Sequence, residues 1–146
     1  MPLDSSTQSA IEQIWHKVHS LEGFPFPQTV AALLQLGATR YTVDYVACTV
    51  TTYITHTASE VSVTNIPDFF SHQGSTLPSS DMFQYDESKL RTAIARVQAG
   101  EGNYHDFASA MVQAGVVGYI AFLTGQRVMY YGEKGECWVE LFPGAK

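Results

Sequence analysis

Apolar positions in the first third of the chain recur at helical spacing. Ile11, Ile14, Trp15, Val18 and Leu21 form one stripe, which predicts a helix over about 6–19 ended by Gly23. Phe24-Pro25-Phe26-Pro27 then makes a stiff turn, with Pro27 suited to the first position of a second helix. That helix carries Val30, Leu33 and Leu34 and stops at Gly37. Beyond Gly37 the period falls from about 3.6 to about 2. Tyr41, Val43 and Tyr45 alternate with Arg40, Thr42 and Asp44. Thr49 to His56 alternates again, and Val61 and Val63 mark a short third strand. A hairpin that pairs Tyr41 with Ile54, Val43 with Thr52 and Tyr45 with Val50 leaves Arg40, Thr42, Asp44, Thr51, Tyr53 and Thr55 on the other face.

The same order returns 78 residues later. Residues 26–63 laid on 104–141 give seven identities, among them Gln35 with Gln113, Gly37 with Gly115, Tyr41 with Tyr119 and Val61 with Val139. A helix from about Asp86, suited to cap it, to Ala99 buries Leu90, Ala93, Ile94 and Val97. Asn103 caps the next helix, with Asp106 in its first turn, and Gly115 ends it. Strands follow near 117–124, 127–132 and 136–142. The expected fold is therefore α+β, an internal duplication of a helix-helix-three-strand antiparallel unit with helices on one face. The chain reads as one domain, with pseudo-repeats over about 6–64 and 86–143. Alternation assigns faces rather than neighbours, so one sheet of six strands and two of three both fit. The connection 65–85 holds Phe69, Phe70, Met82, Phe83 and Tyr85, too apolar for an idle linker.

Composition narrows the classes. Apolar residues make up 45% of the 146, enough for a core, and a net charge of −6 with scattered basic residues argues against a nucleic-acid backbone as partner. No run of 18 apolar residues and no leader-like start occur, so the expectation is no membrane and a cytoplasmic location. Cys48 and Cys137 have no metal-ligand spacing.

The second half, from Ala114-Gly115-Val116-Val117-Gly118-Tyr119 through Phe122-Leu123-Thr124-Gly125, Val128 and Tyr130-Tyr131-Gly132 to Val139-Glu140-Leu141-Phe142-Pro143, resembles the bacterial, prophage-related family of YdfO-like proteins. Gly37-Ala38-Thr39-Arg40-Tyr41-Thr42-Val43-Asp44 in the first half is similar to the same family's signature. These proteins are sometimes labelled phage envelope protein. The resemblance implies a small α+β domain in a bacterial or phage setting and carries no catalytic residue.

Candidate chemistry sits where the copies differ, on the second face of their hairpins. In the first copy, Arg40, Asp44, Thr51 and Tyr53 bring together donors, acceptors and a charge of each sign, and are the candidate ligand or partner residues. The bland alternative is a solvated face, with about 0.2–1 kcal/mol per cross-strand pair. In the second copy Ile120, Phe122, Met129 and Tyr131, with Trp138 and Phe142 on the same side, form a candidate interface too apolar to face water. Its cover would be the long loop or the first copy, a symmetric homodimer, or another partner or apolar ligand. Glu12, His16 and His19 share a helical face and are a weak candidate metal set lacking a further ligand. Either cysteine could act as a nucleophile with His56, His72 or His105, but no local signature supports it. Cys137, opposite Ser59 in the duplication, reads better as a small buried hydrophobe.

These features favour a small binding or regulatory module acting through protein contacts, by self-association as a homodimer or with a protein partner, and without a cofactor. The alternatives are a small-molecule-binding protein or enzyme using Arg40, Asp44 and Tyr53 with His56 at the hairpin edge, and a structural component of a phage particle.

Overall fold

The chain spaces its helix stops and turns so that each copy folds by the same local rules. The computed structural model describes residues 5–20, 22–54, 60–69 and 84–145. Helices α1 (Ser5–Val18) and α2 (Phe26–Gln35) precede strands β1 (Ala38–Asp44), β2 (Thr49–Ile54) and β3 (Glu60–Asn65). The second copy repeats this with α3 (Glu87–Gln98), α4 (Tyr104–Gln113), β4 (Val116–Phe122), β5 (Arg127–Gly132) and β6 (Cys137–Leu141). Asp86 caps α3 by accepting from the Lys89 amide at 3.1 Å. At α4, Asn103 and Asp106 each accept from the other's amide at 3.0 Å, which satisfies two otherwise orphaned donors. Gly37 and Gly115 end α2 and α4 with φ of 89° and 81°, the left-handed conformation that a side chain disfavours.

All six strands form one antiparallel sheet in the order β3-β2-β1-β4-β5-β6. The α+β fold expected from the sequence is thus observed, with the helix-helix-strand unit occurring roughly twice. Where alternation allowed two sheets, the joint between β1 and β4 makes one. Thr42 pairs with Ile120 in that joint. These two are 78 residues apart and occupy the same position in their copies, so a local pseudo-twofold axis passes between them. Arg40 opposite Phe122 and Asp44 opposite Gly118 are exchanged by the same axis.

The hairpin register differs from the expected one by two residues. Tyr41 pairs with Thr52 and Val43 with Val50. A two-residue shift leaves every side chain on its own face, so alternation accepts either register and the turn decides. Asp44 Oδ1 accepts from the amides of Val46 and Ala47 at 2.9 Å each, and Cys48 closes the turn at φ 58°. Gln126, 78 residues later, repeats that left-handed value at φ 56°.

The third strands are displaced relative to the duplication. Thr49 pairs with Asn65, whereas its counterpart Arg127 pairs with Leu141. The first residues of these pairs are 78 apart and the second 76, because the chain between the paired positions is two residues shorter in the second copy. Val61 therefore corresponds to Cys137 and Val63 to Val139, which corrects the matches of Val61 with Val139 and of Ser59 with Cys137.

Helices cover one face. Ile11, Trp15, Leu33, Leu90, Ile94 and Met111 pack with Tyr41, Val43, Tyr45, Val50, Tyr119, Ala121, Val128 and Tyr130 in one core. Trp15 donates its indole N–H to Thr52 Oγ1 at 2.9 Å, which satisfies two buried polar groups at once. Phe69, the start of the long connection, is buried on this same side against Tyr45, Tyr104 and His105. Phe70, Met82 and Phe83 lie outside the described residues.

Candidate functional site

Residues directly opposite in an antiparallel ladder point to the same face, so the pairings lay out the open side of the sheet as three rows. The first runs Val61, Tyr53, Arg40, Phe122, Arg127, Leu141. The middle row is Val63, Thr51, Thr42, Ile120, Met129, Val139. The third is Asn65, Thr49, Asp44, Gly118, Tyr131, Cys137. Outer strands leave large apolar groups open: Val61 is 53% exposed, Val63 58%, Val139 49% and Leu141 45%.

Of the polar candidates, Arg40 and Tyr53 are brought together, with the guanidinium carbon 4.0 Å from the ring centroid. Thr51 lies in the middle row. Asp44 stands four residues along the strand from Arg40, roughly 13 Å away at about 3.3 Å per residue. The expected convergence of Arg40, Asp44, Thr51 and Tyr53 therefore does not occur, because a flat strand spreads its side chains in a line. This also separates the acid–base set of the enzyme alternative, and His56 lies outside the described residues. Asp44 instead neighbours Tyr131, whose phenol is held above its ordinary value by burial and then by the Asp44 charge. Tyr131 reaches over Gly118, where a β-carbon would collide with its hydroxyl and with the Val43 carbonyl oxygen.

Ile120, Phe122, Met129 and Tyr131 share the open face, but Trp138 does not. Trp138 pairs with Tyr130, which faces the helices, and packs under Arg91 of α3 with 4.9 Å from the guanidinium carbon to the ring centroid. Its indole donates to Glu140 at 2.9 Å. Phe142 is likewise on the helix side, edge-on to Phe26. In their place Cys137, Val139 and Leu141 occupy the open face. Cys137 is exposed, so the expectation of a small buried hydrophobe is corrected; both cysteines are free. The first copy lies beside the second in the sheet and cannot be its cover.

The weak metal set comes apart. His19 Nδ1 bonds the Trp15 carbonyl at 2.8 Å and its ring packs edge-on to Tyr104, while Glu12 is exposed and accepts from Gln8. No group of three or more His, Cys, Asp and Glu among the described residues could hold a metal ion. His105 instead contacts the His19 carbonyl through Nε2 at 2.8 Å, which links α4 to the end of α1. Burial lowers the His19 pKa, opposed by its bond to Trp15 and reinforced by the charge of His105.

Sequence reading missed the layer beneath the sheet, where Tyr41, Tyr45, Tyr104, Tyr119 and Tyr130 cluster. Tyr41 and Tyr119, the duplicated pair, have ring centroids 6.1 Å apart, and the Tyr104 and Tyr119 hydroxyls are 2.7 Å apart. The signal was available, since Tyr41, Tyr119 and Tyr130 fall on inward strand positions and Tyr45 continues the alternation just past β1. Comparison with curated proteins gives no match. Most of both copies lies within a stretch, residues 12–140, that matches the family described as protein of unknown function (DUF1398), and the chain belongs to that family.

Proposed function

We propose that this chain is a docking module whose working surface is the open face of its sheet. The carrying observation is the second half of the middle row: Ile120, Met129 and Val139 adjoin one another on a face that no described helix covers. Contiguous apolar surface of this kind marks interaction sites, because leaving it in water forgoes roughly 25 cal/mol per Å2. An open sheet face supports a macromolecular occupant over a small ligand, since small-molecule sites are concave. The resemblance to YdfO-like proteins supports a bacterial or phage setting. No helix among the described residues is long and apolar enough to cross a membrane.

A charged side chain in the middle row tests this. Met129→Asp should abolish the assemblies formed by the wild-type chain, with itself or with another protein, while circular dichroism and thermal midpoint stay near wild type. Unchanged assembly by a folded Met129→Asp protein sinks the reading.

A further inference from the structure

We infer that the occupant of the open face is a second copy of this chain, stacked face to face about a twofold axis that crosses the strands along the Thr42–Ile120 row. This rests on the docking reading and names its partner.

Charge carries the first argument. The chain has a net charge of −6, so two copies repel over most of their surfaces. Among the described residues, the charged ones on the open face are Arg40, Arg127 and Asp44, a balance of +1. The rest of the chain then carries −7, so a second acidic copy meets less repulsion on this face than over the remainder as a whole.

Symmetry carries the second. Rotation about an axis along the middle row lays each strand over its own counterpart and exchanges the outer rows. Arg40 of each copy then meets Asp44 of the other, and Arg127 meets Tyr131, while Ile120 and Met129 meet themselves. An axis parallel to the strands would lay Thr42 on Ile120 and Thr51 on Met129, polar against apolar, with Arg40 on Phe122. Arg40 has no carboxylate partner of its own among the described residues, and one oxygen of Asp44 remains after the turn takes the other. Both lie on β1, beside the centre of the sheet, where the roughly 30° twist between stacked sheets displaces residues least.

Area is the third. Six strands about 4.8 Å apart and about 3.3 Å per residue long give a face on the order of 600 Å2 in projection. Pleating and side chains raise the accessible area toward the roughly 800 Å2 per partner of a standard interface.

Sedimentation velocity on the full chain, with charge-reversal mixing, tests this. Wild type should sediment as a dimer. Arg40→Asp and Asp44→Arg alone should each weaken it at least about 10-fold, and an equimolar mixture of the two should regain the dimer, since each variant supplies the charge the other lacks. Asp44 also caps a turn, so a second measurement stands apart from its folding. Ile120→Cys in a Cys137→Ser background should form an intermolecular disulfide on oxidation, as of these two axes only the one along the middle row sets position 120 against itself. A wild-type monomer at 100 µM overturns the inference. If Met129→Asp then still abolishes binding to another protein, the docking reading stands and only the second copy falls. A dimer with neither recovery on mixing nor the disulfide overturns the axis.

Discussion

Tyr104 and Tyr119 share a hydrogen bond of 2.7 Å in the layer between α4 and the sheet, whereas the buried Tyr45 hydroxyl beside them makes none of good geometry among the described residues. Removing one partner of a buried pair strands the other, but removing an already unpaired hydroxyl removes only its desolvation cost. Tyr119→Phe should therefore destabilise the protein by about 1–2 kcal/mol, and Tyr45→Phe should be neutral or stabilising. Urea unfolding of the two variants side by side reads the contrast.

Thr52→Val keeps shape but leaves the Trp15 indole N–H buried and unpaired. The expected loss is about 1–3 kcal/mol. A denaturation midpoint within error of wild type would show that the indole finds another acceptor.

The five clustered tyrosines set an alkaline limit. Burial raises the pKa of Tyr41, Tyr45, Tyr104, Tyr119 and Tyr130 above the ordinary 10.0. Once pH exceeds the unfolded value, the unfolded chain loses protons first and gains relative stability. Folding free energy should therefore fall above about pH 10, and these phenols should ionise together with unfolding. Absorbance of phenolate and far-ultraviolet circular dichroism should change in one transition.

His19 acts at the other end of the scale. Its folded pKa lies below 6.5, chiefly through burial, so the unfolded chain takes up the proton first as pH falls. The contribution is complete above the unfolded value and declines as pH drops through and below about 6.5. His19→Phe should flatten that part of the stability profile, measured by urea titrations from pH 8 to 5.

Gly118→Ala should loosen the joint between the copies, because its β-carbon would meet the Val43 carbonyl oxygen and the Tyr131 hydroxyl. About 1–3 kcal/mol of destabilisation is expected. Gly125→Ala is the control, since its nearest neighbour would be the Phe122 β-carbon at an ordinary 3.5 Å. Equal midpoints for the two variants would contradict this account.

Strand faces were legible in the sequence because burial on one side forces alternation. Tyr41, Val43 and Tyr45 point to the helices as expected, and Arg40, Thr42 and Asp44 away. Partners were not legible, since a shift of two residues preserves alternation and the cap at Asp44 chooses between registers. Trp138 was misplaced for a related reason. In β6 both alternating sets, Trp138-Glu140-Phe142 and Cys137-Val139-Leu141, carry apolar residues. Glu140 beneath the sheet looks wrong until its bond to the Trp138 indole is seen. The helix caps at Asp86 and Asn103 were legible because they depend on neighbours within three residues. The joint of β1 with β4 depends on residues 78 apart and leaves no local mark.

That joint also has a consequence in time. β1 can be completed on its outer side only by β4, which leaves the ribosome 78 residues later. At about 5–20 residues per second the interval is roughly 4–16 s, during which the newly made first copy presents an open strand edge. Neighbouring ribosomes on one message would hold such edges close together. Because the edge of β1 is built to receive a near-equivalent of itself, pairing between nascent chains competes with the native closure until the second copy arrives.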